Sequence, residues 1–238
     1  MEHKIAAHVR DIPRSGIRDF FEIVQSRPDA ISLGIGEPDF VTPWHIREAA
    51  LFSLEKGRTG YTSNLGLPKL REAVARYVAR KFHLQYHSPS EILVSVGVSE
   101  AIDIALRALL DPGDEVLYHE PCYVSYNPSI TLAHGKAVPV PVHERDNFQL
   151  RADELARRLT PKSKILLLNF PTNPTGATMT REALAPIAEL CRKHDLIVLS
   201  DEIYAELTYD GAGHVSIASL PGMRERTVFL HGLSKGWA

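Results

Sequence analysis

KILLLNFPTNPTGATMTREALAPIAELCRKHDLIVLSDEIY, residues 164–204, decides the fold class. KILLLNF and LIVLSDE are apolar almost without interruption, so they lack the in-and-out alternation of a strand with one wet face. Short continuous apolar runs of this kind belong to strands covered on both sides. Between them, TREALAPIAELCRKH repeats its apolar residues at helical spacing. A strand, a helix and a second strand in that order make a parallel pair joined by a crossover.

The same texture extends outward. EILVSVG (91–97), DEVLYHE (114–120) and KAVPVPV (136–142) precede the unit, TVFLHG (227–232) follows it, and SEAIDIALRALL (99–110) supplies another helical stretch. The expected architecture is α/β, a mainly parallel sheet with helices on both faces. Upstream, three helices are expected. GIRDFFEIVQS (16–26) spaces Ile17, Phe20, Phe21 and Val24 helically. TPWHIREAALFSLEKG (42–57) offers Thr42 as N-cap, Pro43 in the first turn and Gly57 as the stop, and LPKLREAVARYVARKF (67–82) is the third.

Composition narrows the function. The 238 residues are 44% hydrophobic and 24% charged, as in folded globular proteins, and 27 basic against 29 acidic residues leave a net charge of −2. This balance carries no footprint for nucleic acid or a membrane surface, which leaves a small polar ligand as the expected partner. No apolar stretch approaches the roughly 20 residues that span a bilayer. Cys122 and Cys191 have neither metal-ligand spacing nor the density of a disulfide scaffold, and no apolar segment marks a secretory leader, so a cytoplasmic location is expected.

In parallel sheets, ligands collect beyond the carboxyl ends of the strands. Polar residues directly follow five apolar runs: Gly97 to Glu100, Glu120 to Tyr123, Asn169 to Gly176, Asp201 to Tyr204, and Gly232 to Lys235. Each has an ordinary local reading. Asp201 is a helix cap or ion-pair partner, or else the counter-charge of a bound heterocyclic cation. Asn173 is a turn residue, or an amide projected from a rigid loop with a Pro on each side. Ser99 is an N-cap, or marks a helix N-terminus whose free N–H groups meet an anion. Lys235 is a solvated charge, or a nucleophile. A Lys, an Asp, a held Asn, a Tyr and a helix N-terminus at one sheet edge are the parts that hold pyridoxal 5′-phosphate.

With these residues in place, the sequence resembles the class I/II aminotransferases, the fold-type I pyridoxal-phosphate enzymes. ISLGIGEPDF, GYTSNLGLPKLREAV, NPTGA, SDEIY and GLSK carry the resemblance, which runs from about SGIRDFF to the last residue. HVSIASLPGMRERTVFLHGLSK is similar to the subgroup of aromatic and broad-specificity aminotransferases. The resemblance implies that Lys235 carries the cofactor as a Schiff base and that Asp201 faces the pyridinium nitrogen. It places Asn173 and Tyr204 at the phenolic oxygen and Tyr123 on the ring face. The backbone at Val98 and Ser99, with the Ser234 hydroxyl, would hold the phosphate, and Gly36 would lie near the substrate carboxylate. Tyr61 would reach the phosphate of a second subunit, making a homodimer part of the site. An Asp about 4 Å from the ring nitrogen, at an effective dielectric near 20, contributes about 4 kcal/mol, or roughly three pKa units.

On this resemblance, residues 1–45 form an N-terminal arm and small-domain segment, and 46–238 a cofactor-binding large domain. The expected reaction is a ping-pong transfer of an amino group between an amino acid and a 2-oxo acid. Relatives continue past the lysine with MTGWR-like sequence and a small domain, so the expectation is a truncated chain with its large domain incomplete and its turnover impaired. Gly232 stands where some relatives carry a phosphate-binding Ser. Other readings are a β-lyase acting on carbon–sulfur bonds with the same Lys and Asp, a non-catalytic ligand-binding fragment as in aminotransferase-like regulators, and a nucleotide-binding doubly wound domain.

Overall fold

The structure is a computed structural model that describes residues 2–10, 12–13, 26, 29, 31, 36 and 38–238. The helix expected over 16–26, apart from Ser26, and half of ISLGIGEPDF lie outside the described residues. Five strands form one parallel sheet: β1 Glu115–Glu120, β2 Lys136–Pro141, β3 Ser163–Asn169, β4 Ile197–Asp201 and β5 Thr227–Leu230, in the order β2-β1-β3-β4-β5. The helices are α1 Ala7–Arg10, α2 Trp44–Glu55, α3 Pro68–Phe82, α4 Gly97–Leu109, α5 Tyr126–Leu132, α6 Ala152–Arg158 and α7 Arg181–Lys193. Among them none is long and apolar enough to cross a membrane.

The unbroken apolar runs have a direct structural cause. Along β3, Ile165 and Leu167 face one layer with Ile102 and Leu106 of α4 and Tyr126 and Ile130 of α5. Leu166 and Leu168 face the other, with Leu155 of α6 and Leu184, Ile187 and Cys191 of α7. Both faces of the central strands are buried, so neither parity tolerates a polar residue until the strand ends. Thr180 caps α7, its side chain accepting a hydrogen bond from the Ala183 N–H at 3.3 Å.

The strand order reverses between β1 and β3, because the chain steps outward to β2 and then crosses back. A crevice opens beyond the carboxyl ends of neighbouring strands at such a switch point. Glu120 to Tyr123 leave β1 there, Asn169 to Gly176 leave β3, and Asp201 ends β4 beside Asn169 in register.

Three local expectations are corrected. EILVSVG forms no strand: residues 92–95 have no regular structure and do not join the sheet, and the Val94 N–H is bonded to the Leu65 carbonyl at 3.0 Å. An apolar run becomes a strand only beside another strand, and here its amide turns to the loop before α3. Thr42 does not cap α2, whose N-cap is Pro43, because its hydroxyl is directed to the Ala238 carbonyl. Ser99 does not cap α4 either. The helix begins two residues earlier, at Gly97, and the Glu100 carboxylate accepts from the Val96 N–H. Gly97 has φ +74°, a left-handed conformation that glycine adopts without steric cost, which permits the early start. Gly57, at φ +62° just past α2, ends that helix as expected.

Candidate active site

Asp201 is the last residue of β4 and is 4% exposed. Its Oδ1 accepts from its own loop, the Ile203 N–H at 3.2 Å, and its Oδ2 accepts from the Tyr126 hydroxyl at 2.7 Å. Burial pushes the carboxyl up to about 6, against the pull of these two donors, while the neighbouring charge of Glu202 adds to the rise. A buried carboxylate in this state gains from an approaching cation, which returns part of the lost solvation.

Asn169, at the end of β3 and wholly buried, ties the loops together. Its side-chain amide donates to the Asp201 carbonyl at 2.9 Å, and its Oδ1 accepts from the Asn173 N–H at 3.0 Å. Thr172 Oγ1 donates to the Asn169 carbonyl at 2.6 Å, closing the turn from inside. Asn173 is thereby held relative to Asp201, and its amide reaches the Tyr204 hydroxyl at 3.3 Å. Burial raises the Tyr204 hydroxyl above its ordinary value, so it stays protonated and able to donate.

Lys235 lies in the segment after β5. Its Nζ sits 5.9 Å from the centre of the Tyr204 ring and donates to the Gly36 carbonyl at 2.5 Å. A Cβ built on Gly36 would lie 3.8 Å from Asn173 Nδ2, so the two residues flank the same space. Tyr77 of α3 steadies the lysine segment from behind. Its hydroxyl meets His231 Nε2 at 3.2 Å and Glu206, and its ring packs edge-on against Trp237 at 5.7 Å.

Val98 and Ser99 occupy the first turn of α4, where backbone N–H groups have no acceptor within the helix and the dipole favours an anion. Val98 also approaches the lysine segment: a Cβ at Gly232 would come within 3.5 Å of Val98 Cγ2 and 3.0 Å of Ile203 Cδ1. Tyr123 is half-buried just before α5, with its ring edge-on to Tyr126 at 5.7 Å. Ser234 is exposed beside Lys235. Tyr61 is fully exposed. Among the described residues, no group of three or more His, Cys, Asp or Glu could hold a metal ion.

A buried carboxylate, an Asn–Tyr hydroxyl pair, an amine beside the Tyr ring and a helix N-terminus thus stand at one edge of the sheet. This set fits pyridoxal 5′-phosphate: a carboxylate short of solvation for the ring nitrogen, donors for the phenolic oxygen, an amine for the aldehyde and free N–H groups for the phosphate. The sequence pattern described as Aminotransferase class I and II matches residues 28–238. The chain belongs to the class I and II aminotransferase family. Similar proteins include a putative aminotransferase, YugH, of Bacillus subtilis, 48% identical over all of this chain and 61% of its own length. An aspartate aminotransferase of Pyrococcus abyssi is 47% identical over 94% of this chain and 58% of its own.

Among solved structures, an aromatic aminotransferase of Pyrococcus horikoshii superposes with a TM-score of 0.86 at 48% identity, covering 93% of this chain and 59% of that one. The Thermus thermophilus aspartate aminotransferase with maleate gives a TM-score of 0.92 at 35% identity, covering 98% and 61%. The parallel sheet with its helices matches the large domain of fold-type I aminotransferases, and the chain spans about 60% of the length of these relatives.

At this aminotransferase-family site a reading of the sequence passes over Tyr126 and gives Asn169 no role beyond opening the polar stretch 169–176. Asn169 is the polar end of an apolar strand, a signal masked by the more conspicuous Asn173 four residues later. Tyr126 lies one helical turn beyond Tyr123, and that spacing is its only local mark.

Proposed function

We propose that the protein is a pyridoxal 5′-phosphate-dependent aminotransferase that moves an amino group between an α-amino acid and a 2-oxo acid. The observation that carries the reading is the convergence of buried Asp201, the Asn173–Tyr204 pair and Lys235 at the carboxyl edge of β3, β4 and β5. When bound, the cofactor supplies the electron sink for a substrate carbanion.

The chain's own residues do the rest. Asp201 would present its carboxylate to the ring nitrogen and favour a proton there. Asn173 and Tyr204 would direct their donors at the phenolic oxygen, and the Tyr123 ring would cover the cofactor ring. Val98 and Ser99 N–H groups and the Ser234 hydroxyl bind the phosphate. Lys235 Nζ would hold the cofactor through its aldehyde, and as a neutral amine it would act as the general base and acid that carries the substrate Cα proton. Gly36 borders the space for the substrate carboxylate, and its carbonyl keeps Lys235 Nζ at the site.

The working unit in this reading is a homodimer, with Tyr61 reaching the partner's phosphate site. Fully exposed Tyr61 and the exposed Trp44, Leu51, Phe52 and Leu54 of α2 support it, since an apolar helix surface of this kind calls for a covering partner. Residues 1–45 act as arm and small-domain segment and 46–238 as the cofactor-binding domain. Two free thiols, Cys122 and Cys191, support a reducing compartment such as the cytoplasm. The relatives' names include aspartate, aromatic and acylated diaminopimelate aminotransferases, so the substrate reading stays with the α-amino group and the 2-oxo acid.

The test is the absorbance spectrum of the protein with pyridoxal 5′-phosphate, before and after borohydride, beside Lys235→Ala. The expected result is a visible band that borohydride makes permanent and that Lys235→Ala lacks. Identical spectra from the two proteins would refute the assignment. Addition of an amino acid should then yield its 2-oxo acid stoichiometrically without ammonia, whereas ammonia and pyruvate formed without an acceptor would point to β-elimination.

A further inference from the structure

We infer that Tyr126 is the positioning residue of Asp201, orienting its carboxylate and keeping it ionised for the cofactor ring. The inference rests on the functional reading above and concerns a residue outside the set assigned there. Tyr126 is 1% exposed, and its hydroxyl donates to Asp201 Oδ2 at 2.7 Å. A carboxylate attached by a single Cα–Cβ–Cγ stem can swing about two torsions. Here each oxygen is engaged by one donor, Oδ1 by the Ile203 N–H from its own loop and Oδ2 by Tyr126 from across the sheet edge. Only the second restrains the group from outside its own loop, and a backbone donor two residues away moves with the loop it should hold.

The placement of Tyr126 strengthens the inference. It opens α5, three residues after Tyr123, so one turn of chain delivers both the ring assigned to the cofactor face and the hydroxyl that holds its counter-charge. The hydroxyl also has the character this task needs. Burial, then the charge of Asp201 and the bond to it, raise the phenol well above its ordinary value, so it is a donor at every working pH. The titratable groups facing the pair are Glu202 beside Asp201, and Cys122 and Tyr204 beside Tyr126. Burial also holds the Cys122 thiol up at about 12, and Tyr204 likewise stays protonated, which leaves Glu202 as the neighbouring negative charge. Tyr126 is therefore the side-chain donor opposing the two influences, burial and Glu202, that drive Asp201 toward its neutral form.

The measurement is the dissociation constant of pyridoxal 5′-phosphate from pH 5 to 9 for the unaltered protein, Tyr126→Phe, Asp201→Asn and the double variant. Removing one buried hydrogen bond to a charged acceptor should weaken binding by roughly ten- to a hundredfold at the acid end. Because Asp201 becomes harder to ionise, the pH at which binding falls off should rise by about one to two units, with binding nearly restored at high pH. Tyr126→Phe should have a much smaller effect, and no pH-dependent one, when Asp201 is already Asn, because no carboxylate remains to titrate. Weakening by the same factor at all pH values, or an undiminished effect in the Asp201→Asn background, would show that Tyr126 serves packing alone and would overturn the inference while leaving the assigned function intact. Absence of any Lys235-dependent binding by the unaltered protein would overturn both.

Discussion

Replacing Asp201 by Asn should change the pH dependence of stability in the cofactor-free protein in a direction opposite to that of most carboxylates. Asn keeps the shape, and its polar groups can be satisfied: Oδ1 takes the Ile203 N–H, and Nδ2 donates to the Tyr126 oxygen. What disappears is the titration. Burial lifts Asp201 from an ordinary 3.8 to about 6 in the folded chain, so the folded state binds a proton that the unfolded state has released. The stability this group contributes is complete below pH 3.8 and is lost as pH rises through about 6. A shift of a little over two pKa units corresponds to about 3 kcal/mol. Urea unfolding of both proteins between pH 4 and pH 8 isolates the group, since the remaining residues titrate alike in both. The stability of the unaltered protein minus that of Asp201→Asn should fall by about 3 kcal/mol across this range. A flat difference, or one that rises with pH, would refute the claim that Asp201 is held against its own ionisation. Pyridoxal 5′-phosphate at neutral pH should then stabilise the unaltered protein more than the variant, because only a carboxylate gains from the cationic ring.

Other perturbations test the frame around the site. Thr180→Ala removes the side-chain cap of α7 and should cost about 1 kcal/mol in urea unfolding; no change would mean the first turn finds water as readily. Ile187→Ala, at a fully buried position between α7 and the sheet, should cost about 2–5 kcal/mol with the slope of the unfolding curve unchanged, and a loss under 1 kcal/mol would show that this layer repacks freely. Gly232→Ser places a Cβ 3.0 Å from Ile203 Cδ1 and should cost about 1–3 kcal/mol through crowding, with no tighter cofactor binding. Binding tightened by that variant would mean Ile203 turns aside and the hydroxyl reaches the phosphate.

A good share of the site is legible without coordinates. Asp201, Asn173, Tyr204 and Lys235 each follow an apolar run, and ends of parallel strands must gather at one edge of a sheet. The Gly97 region was legible only in part. Its position before a helix is local, but its apolar run reads as a strand and forms none, because pairing depends on which neighbour is present and no local pattern records that. Thr42 reads as a cap, and Ser99 reads as a cap in one of its two local readings; neither caps, for a related reason. A cap is chosen by where the helix starts, and a left-handed glycine or a competing acceptor for the hydroxyl can move that start by two residues.

The sequence by itself determined the layers of this protein. A strand buried on both faces must be apolar at both parities, a helix over it must repeat near 3.6 residues, and those constraints are written residue by residue in β3, α7 and β4. Only the tertiary structure decided the order β2-β1-β3-β4-β5, the link from Asn169 to both Asp201 and Asn173, and the meeting of Tyr126 with Asp201 across 75 residues of chain. These depend on relations between distant segments. The hydrophobic pattern makes every strand of this kind look alike, so it specifies that they pack without specifying beside which neighbour.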